Sequence, residues 1–282
     1  MLVFPALNLG IFVASNSSGG GRLIPIFHEL LLRHYFPALP QSAPKPVPGD
    51  AREYAGDYRR LRRNYAELEV IFSLDSVFAI DAQNDGSLII RERPEEPVRY
   101  VRIAHDLFQN ADGDERVAFL RDSSGRVARV VASCSPINAS RVRFFETALW
   151  LRAWSVAGLV AAVALLLRRR RGDAAKAPGV ERWLRLTACL WLAFYVAAAT
   201  WQLRYGFGYA LQGYPQPILK LGLWLLMAAV GATAIATLLL PLLWRAPGWS
   251  IARRAASSLA LAVLLMTTFV LAQWNAVGLH YF

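Results

Sequence analysis

The chain has 282 residues, a net charge of +11 and a hydrophobic content of 55%. Residues 1–147 contain 18 basic and 18 acidic residues, whereas residues 148–282 contain 13 basic residues and two acidic ones. Because the excess basic residues flank long apolar runs, they indicate membrane topology and argue against nucleic-acid binding. The two cysteines, Cys134 and Cys189, lie in a polar region and in an apolar run, so they predict neither a disulfide framework nor a metal cluster.

The first 36 residues combine two short apolar runs with one helical pattern. Met1–Phe4 and Leu9–Ser15 are β-prone and are separated by a turn, which predicts a hairpin. Apolar residues at helical spacing predict a helix over Leu23–Tyr35, with Pro25 tolerated in its first turn. No basic region accompanies the apolar start, so the sequence does not indicate a signal peptide.

Two polar features of this region could suggest a binding site, and each has a simpler explanation. Gly19–Gly21 could cradle a phosphate, but the Lys-Ser/Thr pair of a phosphate-binding loop does not follow it. We therefore interpret it as a plain loop. His28 and His34 are six residues apart and do not share a helical face, so we predict surface or capping positions for them and no metal.

A proline-rich linker over residues 37–49 forms the first predicted domain boundary. Within it, Ser42-Ala43-Pro44-Lys45 matches by letter the S-x-x-K pattern of serine acyl-enzymes. That chemistry requires the serine at the start of a helix, whereas Pro44 disfavours the helical conformation at Ala43. The sequence therefore predicts that Ser42 is not a nucleophile.

Residues 50–145 carry the turn residues and alternation of a small antiparallel β domain. The predicted strands are Tyr54–Arg60, Ser76–Gln83, Leu88–Arg93, Val98–Phe108, Arg116–Arg121 and Arg126–Ala132, with a short helical turn at Asn64–Ser73. Their regular spacing predicts a barrel or a strongly curled sheet. Asp112, Asp114 and Glu115 lack the ligand spacing of a calcium loop, so we expect a solvated turn there.

Leu149–Leu167 is mostly Leu, Ala and Val, and its nineteen residues are long enough for the ~30 Å hydrocarbon core of a bilayer. The Arg168–Arg171 cluster that follows is typical of the cytoplasmic side. Three further spans are predicted at Trp183–Leu203, Pro217–Trp244 and Ala255–Val277. Within residues 148–282, ten basic residues then lie on the Arg168–Arg171 side and three on the other, which predicts that residues 1–145 and the C-terminus are extracytoplasmic.

The predicted spans contain no Asp, Glu or His. Because ion and proton pathways usually need such groups, transport is a disfavoured function. Ala228, Ala232 and Ala236 form a small-residue ridge in the third span, which predicts close helix packing there.

Several stretches resemble the β-lactamase-related serine hydrolases, the penicillin-binding-protein-like group. Leu9–Ser17 with the following glycines is similar to the late core strand and turn of that fold, and Ile26–Pro37 is similar to its closing helix. Tyr54–Arg59 and Asn64–Glu69 resemble the opening of the small β domain that some members carry next. Several such members end in membrane helices, so the resemblance implies the C-terminal part of a membrane-anchored hydrolase.

The motifs that perform the family's chemistry are not present in usable form. The resemblance places the S-x-x-K nucleophile, the Y-x-N motif and the K/H-[ST]-G strand before the strand that begins here at Leu9. We therefore expect no catalytic, cofactor-binding or metal-binding residues in this chain, and we expect it to be inactive alone. We also expect that the biological start lies upstream of Met1, or that the gene is broken just upstream, because a two-stranded hairpin with one helix is too small to be stable alone and a long polar domain needs a signal sequence for export.

The predicted fold class is a mixed membrane protein with four parts. They are residues 1–36, an α+β remnant of a β-lactamase-like fold; residues 37–49, the linker; residues 50–145, the antiparallel β-barrel or meander; and residues 146–282, four transmembrane helices. The expected function is to anchor an extracytoplasmic hydrolase in a bacterial cytoplasmic membrane, with the lipid bilayer and a hydrolase domain as partners.

The alternative hypothesis is a non-enzymatic membrane protein whose β domain binds a lipid, a peptide or a protein. A ligand-sized apolar cavity in the β domain would favour this alternative. An unpaired sheet edge beside Leu9–Ser15 would favour the hydrolase hypothesis.

Overall fold

The computed structural model describes residues 2–14, 16, 27, 30–32, 34–36, 44–91, 96–133, 137–167, 178–206, 215–245 and 249–278. The chain divides into two compact units, Met1–Lys45 and Pro46–Phe282. The division falls inside the predicted proline-rich linker. Gly19–Gly21, His28 and Ser42 lie outside the described residues, so the predictions made for them stay predictions.

The first unit contains the predicted hairpin. Strands β1 (Leu2–Phe4) and β2 (Leu9–Ile11) pair antiparallel, with Phe4 opposite Leu9. A 3-10 turn over Pro5–Leu7 joins them, and Asn8 ends that turn in the left-handed conformation that Asn tolerates (φ 52°). Phe27, residues 30–32, His34 and Tyr35 are helical, in agreement with the predicted helix.

The β domain is a closed barrel of eight antiparallel strands. They are β3 (Gly56–Arg60), β4 (Val77–Ala82), β5 (Leu88–Arg91), β6 (Val98–Ala104), β7 (Leu107–Asn110), β8 (Arg116–Arg121), β9 (Val127–Ala132) and β10 (Asn138–Arg141). Each strand pairs with its neighbour in the chain, and β10 closes the barrel by pairing with both β9 and β3. Closure leaves the sheet with no free edge.

Three details of the sequence prediction were wrong. The Val98–Phe108 run is not one strand, because His105 and Asp106 form a turn between β6 and β7, with Asp106 at φ 58°. The closing strand β10 was missed, because Asn-Ala-Ser-Arg has low β propensity and its pairing comes from the strands on either side. The segment predicted as a helical turn at Asn64–Ser73 is a 3-10 helix over Leu68–Ser76.

The barrel interior is filled by aromatic and branched side chains. Tyr54, Tyr58 and Phe108 are fully buried, and the rings of Phe108 and Phe119 meet edge to face with centroids 5.6 Å apart. The Tyr58 hydroxyl donates a hydrogen bond to the Tyr54 carbonyl at 2.8 Å, and burial raises the pKa of Tyr58 to about 12. The described interior is therefore a packed core of buried side chains.

Within the part of the chain that the structure describes, four helices are long and apolar enough to cross a membrane. They are α1 (Ala148–Leu166), α2 (Pro178–Tyr205), α3 (Pro217–Leu238) and α5 (Ile251–Gln273), and the short helix α4 (Leu240–Arg245) continues from α3. The four predicted spans are thus present as helices. The second begins before the predicted Trp183, so Glu181 lies in its first turn.

These helices pack closely against one another and are linked by a buried hydrogen bond. Gly158 of α1 lies so near α2 and α5 that an added Cβ would stand 2.5 Å from Tyr195 Oη and 2.8 Å from Thr267 Oγ1. The buried Trp191 indole donates a hydrogen bond to Thr233 at 2.9 Å, which links α2 to α3. The predicted ridge on α3 is shifted: Ala232 and Ala236 are buried as expected, but Ala228 is exposed and Ala229 takes its place.

Candidate functional site

The barrel is packed directly onto one end of the helices. The 3-10 segment Leu68–Ser76, between β3 and β4, buries Leu68 and Val70 in the same apolar cluster as residues of the four long helices. The ring of Phe72 lies 6.5 Å from that of Trp201 on α2. The contact surface between barrel and helices, which we call the junction, is therefore part of the hydrophobic core.

A residue just after α5 fixes this contact by hydrogen bonds. Asn275 has left-handed backbone (φ 53°), which Asn adopts more easily than most residues. Its side-chain amide donates to the Tyr65 carbonyl at 2.9 Å and to the Glu67 carbonyl at 3.1 Å. The loop after β3 is thereby tied to the end of α5.

Arg59 of β3 is the central polar residue of the junction. Strand alternation points Tyr58 into the barrel, so Arg59 projects from the outer face, where the helix ends cover it and leave it 3% exposed. Its guanidinium donates a hydrogen bond to the Glu146 backbone carbonyl and lies 5.2 Å from the centre of the Trp274 ring. The guanidinium of an arginine carries five N–H donors, so one hydrogen bond to the Glu146 carbonyl leaves most of them to be satisfied by other groups.

A cavity of about 290 Å³ opens beside Arg59. It is lined by Arg59, Arg63, Tyr65, Val70, Phe145, Glu146, Gln273, Trp274 and Asn275. Four buried side-chain atoms of these residues have no hydrogen-bond partner among the described residues: Arg59 Nε, Arg63 Nε, Arg63 Nη1 and Trp274 Nε1. All four are N–H donors, so three of the residues that line the cavity carry buried donors without acceptors among the described residues.

The charge in the cavity is predominantly positive. Burial lowers the pKa of the Arg59 guanidinium, and the positive charge of Arg63 lowers it further, while Glu146 acts in the opposite direction. Because an arginine stays protonated at neutral pH, the burial appears as a cost to the folded state and not as loss of charge. The Glu146 carboxylate accepts the Arg143 backbone N–H at 3.1 Å, so it caps the start of the 3-10 turn Phe144–Glu146.

A second charged cluster in the barrel has all its main groups paired. Arg121 forms ion pairs with Asp106 at 2.7 Å and with Glu53 at 2.8 Å, and the Tyr54 hydroxyl donates to Asp106 at 2.9 Å. Hydrogen bonding to Arg121 holds the pKa of both Asp106 and Glu53 below the usual range of carboxyl groups. This cluster stabilises the turn between β6 and β7, and we assign it no binding role.

The other residues considered from the sequence do not form a site. Asp112 and Asp114 are exposed, as expected of a solvated turn, and Glu115 accepts a hydrogen bond from the Tyr100 hydroxyl at 2.6 Å. His34 is exposed and Cys189 is a free, exposed thiol on α2. Within the described ranges, no group of three or more His, Cys, Asp or Glu side chains could hold a metal ion.

Glu181 lies before the span predicted at Trp183–Leu203, but the structure places it inside the helix α2. It lies in the first turn of α2, buried, and accepts from Arg185 of the same helix and Arg253 of α5, both at 3.1 Å. The position is favourable because the N-terminal end of a helix attracts negative charge. Glu181 therefore joins two helices at the end away from the barrel.

Comparison of the chain with protein-family models, with curated proteins and with solved structures found no match. The candidate site is therefore argued from its own geometry. Its residues Arg59, Arg63 and Trp274 were not predicted, although one signal was available. The signal is a run of four arginines, Arg59, Arg60, Arg62 and Arg63, at the end of the predicted strand Tyr54–Arg60.

Proposed function

We propose that this chain is an integral membrane protein that holds a β-barrel against the extracytoplasmic face of the membrane and binds a ligand at the barrel–helix junction. The four long apolar helices support the membrane assignment. The observation that carries the binding role is the junction cavity, where four buried N–H donors have no partner among the described residues. Buried polar groups usually have hydrogen-bond partners, and a bound ion or ligand is one explanation for buried groups that have none.

The orientation follows from the distribution of basic residues. Of the 13 basic residues within residues 148–282, ten lie on the Arg168–Arg171 side of the spans and three lie on the opposite side. Alkaline phosphatase fused after Leu107 should be active, because that enzyme needs the extracytoplasmic space, and a fusion after Arg171 should be inactive. The reverse pattern would contradict the orientation.

The binding role has a separate test in the backbone that the junction holds. In polymer-extracted native membrane discs, residues 65–70 should exchange their amide hydrogens more slowly than in the same full-length chain washed exhaustively into detergent. Strand β8 serves as the control, because its pairing with β7 and β9 does not involve the junction. Equal exchange of residues 65–70 in both samples would argue against a junction ligand.

A second candidate function is the one implied by the resemblance, an anchor for a β-lactamase-like hydrolase. Its support is the exposed apolar surface of the first unit, where Phe12 is 76% exposed. In this unit, apolar residues of β2 and of the helical residues that begin at Phe27 line a groove of about 490 Å³. The β2 strand also has one side without a strand partner among the described residues. Such a surface suits packing against another domain.

Two experiments test this second function. The full-length chain alone should not be labelled by a serine-directed acyl probe, and labelling that disappears in Ser42→Ala would show that the chain contains a nucleophile. Translation of about one kilobase of DNA upstream of Met1 should reveal S-x-x-K, Y-x-N and an H/K-x-G strand in that order. An unrelated gene at that place would leave the junction-binding function as the explanation of this chain.

A further inference from the structure

We propose that the junction cavity binds a phosphoryl anion, either as the headgroup phosphate of an anionic lipid or as a soluble phosphate ester. The proposal rests on the function proposed above, since the cavity lies at headgroup depth only if the four helices cross a bilayer. It names the ligand chemistry that the cavity selects.

The donors of the cavity define the charge of the ligand. Arg59 Nε, Arg63 Nε, Arg63 Nη1 and Trp274 Nε1 are buried and can only donate. A neutral ligand with both donors and acceptors would leave part of this set unpaired, and a cation would be repelled by the two guanidinium groups. An anion rich in acceptor oxygens satisfies the donors and compensates the buried positive charge.

The guanidinium groups favour phosphate among the anions. An arginine presents its N–H groups as a planar fork that matches the oxygens of a phosphate or a carboxylate, and two arginines can contact different oxygens of one phosphoryl group. A carboxylate has only two oxygens to share among donors from three residues. The indole N–H of Trp274 adds the third direction of approach.

The acids near the cavity compensate only part of the positive charge of the two arginines, since one carboxylate, Glu146, lines it with them. Glu146 lines the cavity, and its carboxylate accepts the Arg143 backbone N–H. Glu67 accepts the Asn64 side-chain amide at 2.9 Å and does not line the cavity. Glu69 also lies outside the lining, and burial raises the pKa of its carboxyl group.

The size and position of the cavity suit a lipid headgroup. Its volume of about 290 Å³ is at the small end of ligand pockets, which are typically about 300–1,000 Å³, so it accommodates a headgroup and not a large ligand. Glu146 lies just before α1 begins at Ala148, and Trp274 lies just after α5 ends at Gln273. Headgroups lie at this level next to membrane helices, and basic pockets there bind anionic lipids.

Arg63 is the residue at which the proposal can be tested without disturbing the fold. Its guanidinium stacks on the Tyr65 ring at 4.7 Å, and Arg63 Nε and Nη1 have no hydrogen-bond partner among the described residues. Arg63→Gln should therefore weaken ligand binding with little effect on folding. Arg62→Gln is the matched control, because Arg62 is adjacent and exposed, carries the same charge and does not line the cavity.

The experiment uses the full-length chain and two probes. In nanodiscs of phosphatidylcholine with one-fifth phosphatidylglycerol, native mass spectrometry counts the phosphatidylglycerol retained on release. In an uncharged detergent, calorimetric titration with glycerol 1-phosphate measures the soluble source. Arg63→Gln should bind the effective probe about tenfold more weakly than the wild type, whereas Arg62→Gln should stay within about twofold.

Each outcome has a defined meaning. If Arg63→Gln weakens the binding of phosphatidylglycerol alone, the ligand is a lipid headgroup. If Arg63→Gln weakens the binding of glycerol 1-phosphate, the ligand is a soluble phosphate ester. Equal binding by Arg63→Gln and Arg62→Gln, or no binding of either probe, overturns the proposal. If carbonate removes the protein from membranes, the proposed membrane function is overturned instead. Failure of the phosphoryl-binding proposal and failure of the membrane proposal therefore give different results.

Discussion

The barrel interior and the junction lie on opposite faces of the same strand, and they are built differently. Tyr58 points into a core in which the side chains are apolar or have their polar atoms paired, as its own hydroxyl does. Arg59, the next residue, points into a region that buries a charge, contains donors without partners among the described residues and encloses about 290 Å³. The first arrangement favours stability, whereas the second lowers stability and is the place where we propose that a ligand binds.

The largest effect should come from the barrel interior. Phe108 is fully buried against Tyr54 and Phe119, so Phe108→Ala should lower the free energy of unfolding by about 3–5 kcal/mol through lost burial and a cavity. Phe145→Ala removes the same ring from the junction, where it is 42% exposed, and should cost about 1 kcal/mol or less. Chemical denaturation of the detergent-solubilised full chain measures both, and equal losses would contradict the distinction between the two regions.

The next largest loss of stability should come from disturbing the packing of α1 against α2 and α5. Gly158→Ala would force a methyl group against Tyr195 and Thr267, so α1 and α5 should separate slightly at a cost of about 1–3 kcal/mol. Gly231→Ala on α3 is the control, because a Cβ there meets no atom within 4 Å. It should be neutral or stabilising by up to about 1 kcal/mol, since alanine favours a helix. Thermal unfolding in detergent compares the two, and equal midpoints would show that the packing at Gly158 is not tight.

A smaller effect should follow from loosening the junction at Asn275. Asn275→Gly keeps the left-handed backbone and removes both hydrogen bonds to the loop after β3, which should cost about 1 kcal/mol. Asn275→Ala should cost about 1 kcal/mol more, because alanine is strained in this conformation. Faster hydrogen exchange over residues 65–70 in both variants, with strand β8 unchanged, would locate the effect at the junction. Unchanged exchange would mean that Asn275 does not hold the barrel.

The smallest effect concerns the paired cluster of Arg121, and it appears in the pH dependence of stability. Because the pKa values of Asp106 and Glu53 are lowered in the folded state, their stabilisation is complete above the unfolded values of about 4 and is lost as pH falls below them. Arg121→Gln should therefore lower the unfolding temperature at pH 7 and flatten its decline between pH 5 and pH 3.

Arg126→Gln provides the control for this titration. Arg126 lies on the same hairpin, but its partner Asp122 has its pKa lowered chiefly by a hydrogen bond from Ser124. The wild-type decline between pH 5 and pH 3 should therefore persist in this variant. If the unfolding temperature of Arg121→Gln fell as steeply as that of the wild type between pH 5 and pH 3, the cluster would make no pH-dependent contribution to stability.

Much of the architecture could be predicted because it depends on local patterns. Runs of about twenty apolar residues specify the four long helices, and Asn84-Asp85-Gly86 specifies the hairpin between β4 and β5. The prediction failed where a local pattern was ambiguous. The long alternation over Val98–Phe108 conceals a turn at Asp106, and the polar strand β10 has no pattern of its own.

The sequence by itself determined the helices that can cross a membrane, the asymmetry of basic residues around them and the strand-rich character of residues 50–145, since each depends on residues that are close in the chain. Only the tertiary structure decided that the barrel closes through β10 and that Arg59, Arg63 and Trp274 line one cavity. Trp274 is separated from the two arginines by most of the chain, and no periodicity relates residues that far apart. Whether a buried donor finds a partner depends on how the barrel packs on the helices, and that packing leaves these four donors without acceptors among the described residues.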